Sequence, residues 1–126
     1  MAGDQGGRGM KITTHTASGV TVFRPEAPRL VYAMLDSFVE QVHRRLPPEA
    51  PRVLLDFSAV NYVDSAAIGC LMDLYRRVRD RGGRVVLAGL ETRVARMLRM
   101  TGAHEFIAIH DTVEDGVGAL AEQGAR

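Results

Sequence analysis

Val53-Leu54-Leu55-Asp56-Phe57, then Ser58-Ala59-Val60-Asn61-Tyr62-Val63, then Asp64-Ser65-Ala66-Ala67-Ile68-Gly69 follow one another without a break, and their reading decides the fold. The first run is apolar except for its Asp, as in a strand covered on both faces. The second is short and mixed, as in a loop. The third sets a carboxylate and a hydroxyl ahead of apolar residues at helical spacing, which marks a helix start. A hydroxyl there lies beside unpaired backbone N–H groups at the positive end of a helix dipole. Such a place can hold a phosphate, so Ser65 is the residue on which the functional reading turns.

Working outward, the helix is expected from about Ala66 to Arg79, with Ile68, Leu71, Leu74, Tyr75 and Val78 inward and Gly82-Gly83 as its stop. Arg84 to Ala88 predicts another buried strand, and the helix after it turns Val94, Met97 and Leu98 inward before Gly102 ends it. Phe106 to Ile109 predicts a last strand, and Asp111-Thr112-Val113-Glu114 resembles a capping box opening a terminal helix. Upstream, Met10 to Thr16 and Val20 to Arg24 predict two strands turning at Ala17-Ser18-Gly19. From Leu30, apolar Val31, Met34, Leu35, Phe38, Val39 and Val42 recur at helical spacing until Pro47-Pro48.

Strand, strand, helix, then strand–helix three times predicts an α/β domain. Its sheet is mixed and mostly parallel, with about five strands and about four helices. The loops after parallel strands gather at one end of such a sheet. That brings the Asp64-Ser65 loop, Glu91-Thr92 and His110-Asp111 to one edge.

The 126 residues suffice for one domain with an ordinary core. The expected bounds are a flexible leader at residues 1–9, the domain at 10–122 and a tail at 123–126. A hydrophobic content of 46% with 25% charged residues belongs to a globular protein. Net charge of +1 and 6% aromatics argue against nucleic-acid binding. A single cysteine excludes an internal disulfide and a multi-Cys zinc site. His15, His43 and His104 lack metal spacing, and no glycine pattern has nucleotide-loop spacing, so no metal and no cofactor are expected. No apolar run approaches the ~20 residues of a membrane span, and the start has no signal-peptide core. The expected location is cytoplasmic.

The stretch from Asp56 through Asp64-Ser65 to Gly69 resembles the signature of STAS domains, above all the bacterial anti-sigma factor antagonists. The resemblance continues through Arg81-Gly82-Gly83-Arg84, Val85 to Gly89, Val94 to Met100, Thr101-Gly102 and Phe106-Ile107, and covers roughly residues 50 to 120. The front third departs from it: Phe23-Arg24-Pro25-Glu26-Ala27-Pro28 stands where the family usually has a Gly-x-Leu-Asp type of turn. Ala66-Ala67 stands where many members have Ser-Gly or Ser-Ala.

The resemblance implies an antagonist regulated by phosphorylation at Ser65, and not an enzyme. Its partner would be an anti-sigma factor that is also a serine kinase of the histidine-kinase-like ATPase type, with a serine phosphatase resetting the cycle. Asp64 and Ser65 would present the acceptor, Ala66, Ala67 and Gly69 would keep the surface low, and Asn61 and Tyr62 would line the contact. An alternative is a STAS subunit of a lipid-transport ABC system that binds its ATPase without phospho-control.

Position alone favours a blander role for Ser65, a plain N-cap that stabilises its helix by ~1 kcal/mol. The resemblance implies that Asp56 orients the serine loop, whereas the residue by itself reads as a strand-end carboxylate bonding loop amides, which is the preferred reading. Ser58 stays open as a second modified site. Cys70 reads as a core residue, and Met97 and Met100 fit core packing, the preferred reading, or an adaptable binding surface. A hydrolase built from Ser65, His110 and Asp111 is disfavoured, because the serine lacks a Gly-x-Ser-x-Gly elbow. The cluster Arg76, Arg77, Arg79, Arg81 and Arg84 reads as a solvated face or a docking rim.

Overall fold

The computed structural model describes residues 10–124; the leader expected at residues 1–9 and the last two residues lie outside the described residues. Two strands, β1 (Ile12–Ala17) and β2 (Val20–Pro25), pair antiparallel with His15 opposite Val22. Ser18 and Gly19, both at positive φ, make the turn between them. A two-residue strand β3 (Arg29–Leu30) and a 3-10 turn (Tyr32–Met34) lead into helix α1 (Leu35–Arg45). Then come β4 (Arg52–Asp56), the short β5 (Tyr62–Val63) and helix α2 (Ser65–Asp80). β6 (Arg84–Ala88), α3 (Thr92–Thr101), a second 3-10 turn (Ala103–Glu105), β7 (Ala108–His110) and α4 (Val113–Gly124) follow among the described residues.

The main sheet has the order β1-β2-β4-β6-β7, antiparallel only at its first pair. This is the α/β architecture expected, with five strands in the main sheet and four α-helices among the described residues.

Side chains alternate across a strand, so a run buried on both faces has no polar gap. Phe23, Val53, Leu55, Val85 and Leu87 face a core shared with Phe38, Val42, Leu71, Leu74, Val94 and Leu98 of α1 to α3. Val20, Val22, Leu54, Val86 and Ala88 face the other way, under Leu120 of α4. At the far end of the sheet, Gly82 at φ +79° turns the chain out of α2. The next residue must also be glycine, because a Cβ at Gly83 would collide with the Pro51 carbonyl.

Several boundaries differ from expectation. The first helix starts at Leu35, not Leu30, because Leu30 is drawn into a parallel pair with Val63. The last strand starts at Ala108. Before it Phe106 follows the 3-10 turn and stays 56% exposed, with its ring 6.0 Å from that of Tyr75. Met100 is 79% exposed, which corrects its placement in the core, whereas Met97 packs against the core. Thr112, not Asp111, caps the terminal helix by accepting the Asp115 N–H at 3.0 Å. That helix runs to Gly124, past the expected end of the domain at residue 122.

Candidate functional site

The loop from β4 to α2 is pinned along its length. The Pro28 carbonyl accepts the N–H groups of Asn61 at 2.7 Å and Tyr62 at 3.2 Å. β5 then pairs with β3, and Asp64 N–H reaches the Leu30 carbonyl at 3.4 Å. The Pro25 to Pro28 segment, atypical in sequence, is therefore the anchor for the serine loop. The Arg29 guanidinium lies 4.6 Å above the Tyr62 ring and secures the same junction.

Asp64 is the N-cap of α2, which corrects the cap reading of Ser65. Its Oδ1 accepts the Ala67 N–H at 2.8 Å, and its Oδ2 accepts the Tyr32 N–H at 2.9 Å. Ser65 is then the first helical residue. It is exposed, and its hydroxyl makes no hydrogen bond among the described residues. Asp64 leaves the Ser65 and Ala66 N–H groups untouched, so the positive end of the helix opens beside that hydroxyl.

At the loop's other end Asp56 is 6% exposed and satisfied locally. Its Oδ1 accepts the Ser58 N–H at 3.0 Å and the Ser58 hydroxyl at 2.6 Å. Arg24 donates to Ser58 Oγ at 3.0 Å and stands 3.6 Å from Asp56 Oδ2. Asp56 thus bonds its own end of the loop and makes no bond to Ser65. The Ser58 hydroxyl is already committed.

Of the residues expected around Ser65, Asn61 and Gly69 are exposed, and Tyr62 and Ala66 are half-buried. Gly69 has open space where a side chain would stand. Ala67 is different: at 0% exposure it packs beneath the helix and is no part of the surface, a correction to its expected place there. Asn61 shares a shallow polar hollow with Glu91, Thr92 and Arg93, so two of the three loops expected at this edge do meet. No hydrogen bond joins Ser65 to His110 or Asp111 among the described residues.

One neighbour escaped the sequence reading. Tyr32, 77% exposed, joins Ala66 and Gly69 at one end of a groove of about 650 Å³ that runs between α1 and α2. Cys70 lies within it. Burial, and after it the charge of Asp73, pushes its thiol up to about 11, which suits a protonated, unreactive residue. Arg76 and Arg79 are exposed and form ion pairs with Asp73 and Asp80 at 2.8 and 3.7 Å, as on a solvated face. No helix among the described residues is long and apolar enough to cross a membrane.

Comparison with known proteins bears on the same elements. Over 55 residues the chain is 33% identical to the anti-sigma-B factor antagonist of Listeria monocytogenes, covering 44% of this chain and 48% of that one. It is 26% identical to a probable sulfate transporter 4.2 of Arabidopsis thaliana over 119 residues, 79% of this chain but only 17% of the transporter. The chain thus spans about half the length of the one relative and less than a fifth of the other. In fold it resembles a putative anti-sigma factor antagonist from Thermotoga maritima, with a TM-score of 0.78 at 18% identity over 86% of this chain and 93% of that one. The STAS domain family matches residues 11–116, nearly the whole described chain. The chain belongs to the STAS domain family.

Proposed function

We propose that this STAS domain is an anti-sigma factor antagonist whose binding is controlled by phosphorylation of Ser65. It acts in the cytoplasm as a binding module and a kinase substrate, not as an enzyme. Unphosphorylated, it holds an anti-sigma factor that is also a serine kinase of the histidine-kinase-like ATPase type, and so frees a sigma factor. Phosphorylated, it lets go, and a serine phosphatase resets it. Ser65 is the acceptor, and Asn61, Tyr62, Ala66 and Gly69 form the contact around it.

The observation that carries this reading is the division of labour between Asp64 and Ser65. The aspartate does the capping, and the hydroxyl at the helix start stays exposed and unbonded. A phosphoserine adds ≈ −1.5 to −2 charges at that spot. A partner carboxylate ~5 Å away would then be repelled by ~3 kcal/mol per unit charge at an effective dielectric of ~20. That is an affinity loss on the order of 100-fold before solvent screening reduces it. Low relief at Ala66 and Gly69 brings the partner close enough for this repulsion to matter.

The test is affinity capture with wild type, Ser65→Ala and Ser65→Asp, followed by mass identification. Wild type and the Ala variant should retain a histidine-kinase-like ATPase that the Asp variant loses. A second reading, a domain serving a transporter, draws on the sulfate-transporter likeness. In that case all three proteins would retain the same transport component, and control through Ser65 would be refuted.

A further inference from the structure

The groove between α1 and α2 lies within the size range of small-molecule sites. Leu35, Val39 and Val42 line it from α1, and Cys70 and Leu74 from α2. Its two ends differ in charge. Tyr32 and Asp36 stand at the Ser65 end. At the other end His43 lies near Arg77 and Arg81, and burial together with those two charges pushes its imidazole toward the neutral form. Neither guanidinium forms an ion pair or hydrogen bond among the described residues. Asp73, midway along α2, is taken up by Arg76 at 2.8 Å. The trough therefore ends at Arg77, which lines it and whose guanidinium makes no ion pair or hydrogen bond among the described residues; Arg81 lies beyond the lining, near His43.

Length narrows the occupant. From Ala66 to Arg77 the helix rises ~17 Å, about the length of a stretched twelve-carbon chain with its head group. Guanidinium groups present parallel donors that match a carboxylate. We propose that the groove binds a free long-chain fatty carboxylate, with its tail along Val39, Val42 and Cys70 and its head at Arg77, within the field of the nearby Arg81. This site borders the Ser65 contact at Ala66 and Gly69, and its occupancy does not depend on phosphorylation of Ser65.

Cys70, the single cysteine, reports occupancy because it lines the trough. The experiment follows its alkylation by iodoacetamide in the full chain near pH 9, with laurate or uncharged dodecanol below micelle formation. Amide NMR shifts locate the binding. Laurate should slow alkylation about tenfold, shift amides along α1 and α2, and bind about tenfold more tightly than dodecanol. Arg77→Gln combined with Arg81→Gln should erase that preference. Gly69→Trp, placed where open space receives a side chain, should block laurate while circular dichroism stays native. Equal protection by laurate and dodecanol would overturn the proposal, as would a preference that survives the double variant. Protection by neither would also overturn it and leave the groove as a protein-docking face.

Discussion

Ser58 and Ser65 stand at the two ends of one loop, each just behind an aspartate, yet their hydroxyls are in opposite states. Asp56, two residues before Ser58, folds back onto both the amide and the hydroxyl of that serine. This is the local turn that aspartate side chains favour. Asp64, one residue before Ser65, instead reaches forward over it to Ala67 and sideways to Tyr32. An N-cap carboxylate bonds the third helical N–H and so passes over the first. A single residue of spacing thus decides whether an acid locks the neighbouring serine or leaves it open.

The largest expected effect concerns another nucleophile on the same helix. Cys70, with its thiol pushed from 9.0 to about 11, should react far more slowly than an exposed side chain. At pH 8 the folded chain holds about one hundredth of the thiolate of the unfolded chain, so alkylation should be about 100-fold slower than in urea. The folded rate should keep rising up to about pH 11. A plateau near pH 9 would place the thiol in water and remove the contrast with Ser65.

Placing the same charge at the two serines should give opposite signs. Ser58→Asp sets a second carboxylate against the nearly buried Asp56 and should cost about 2 kcal/mol in urea unfolding, even with Arg24 nearby. Ser65→Asp sits at an exposed helix start and should add about 0.5 kcal/mol of stability. Equal costs at both sites would show that the loop's two ends are alike.

Removing the cap itself ranks next. Asp64→Ala should lose about 1–2 kcal/mol, and Asp64→Asn less than half of that, because an amide oxygen still accepts a bond. Smallest are the alanine variants. Ser58→Ala should cost about 1 kcal/mol through its lost bond to a carboxylate, and Ser65→Ala no more than about 0.5 kcal/mol. Chemical denaturation of the two variants side by side is enough to check this.

The long elements were legible because their signals are local. β4, β6 and α2 carry apolar runs or helical periodicity, and the turn at Gly82-Gly83 stands where the pattern stops. β3 and β5 were not legible, since two residues hold no period and those strands exist only through each other. Missing them moved the start of α1 to Leu30 and hid Tyr32 inside a helix it does not join. Around the site, Ser65 could be found from sequence but the cap could not be assigned. Asp64 and Ser65 are both good capping residues, and only the folded backbone chooses between them. Ala67 looked like its neighbour Ala66, and only its burial separates the two.

The bond from Asp64 to the Tyr32 amide spans 32 positions of sequence. It joins the segment after β3 to the segment after β5, whose pairing brings the two together, so an unfolded chain lacks the surroundings of Ser65. A peptide copied from the loop and α2 would contain every residue of the motif and lack its shape. A protein that recognises the serine through those surroundings is therefore also inspecting the integrity of the domain, and an unfolded copy sends it no message.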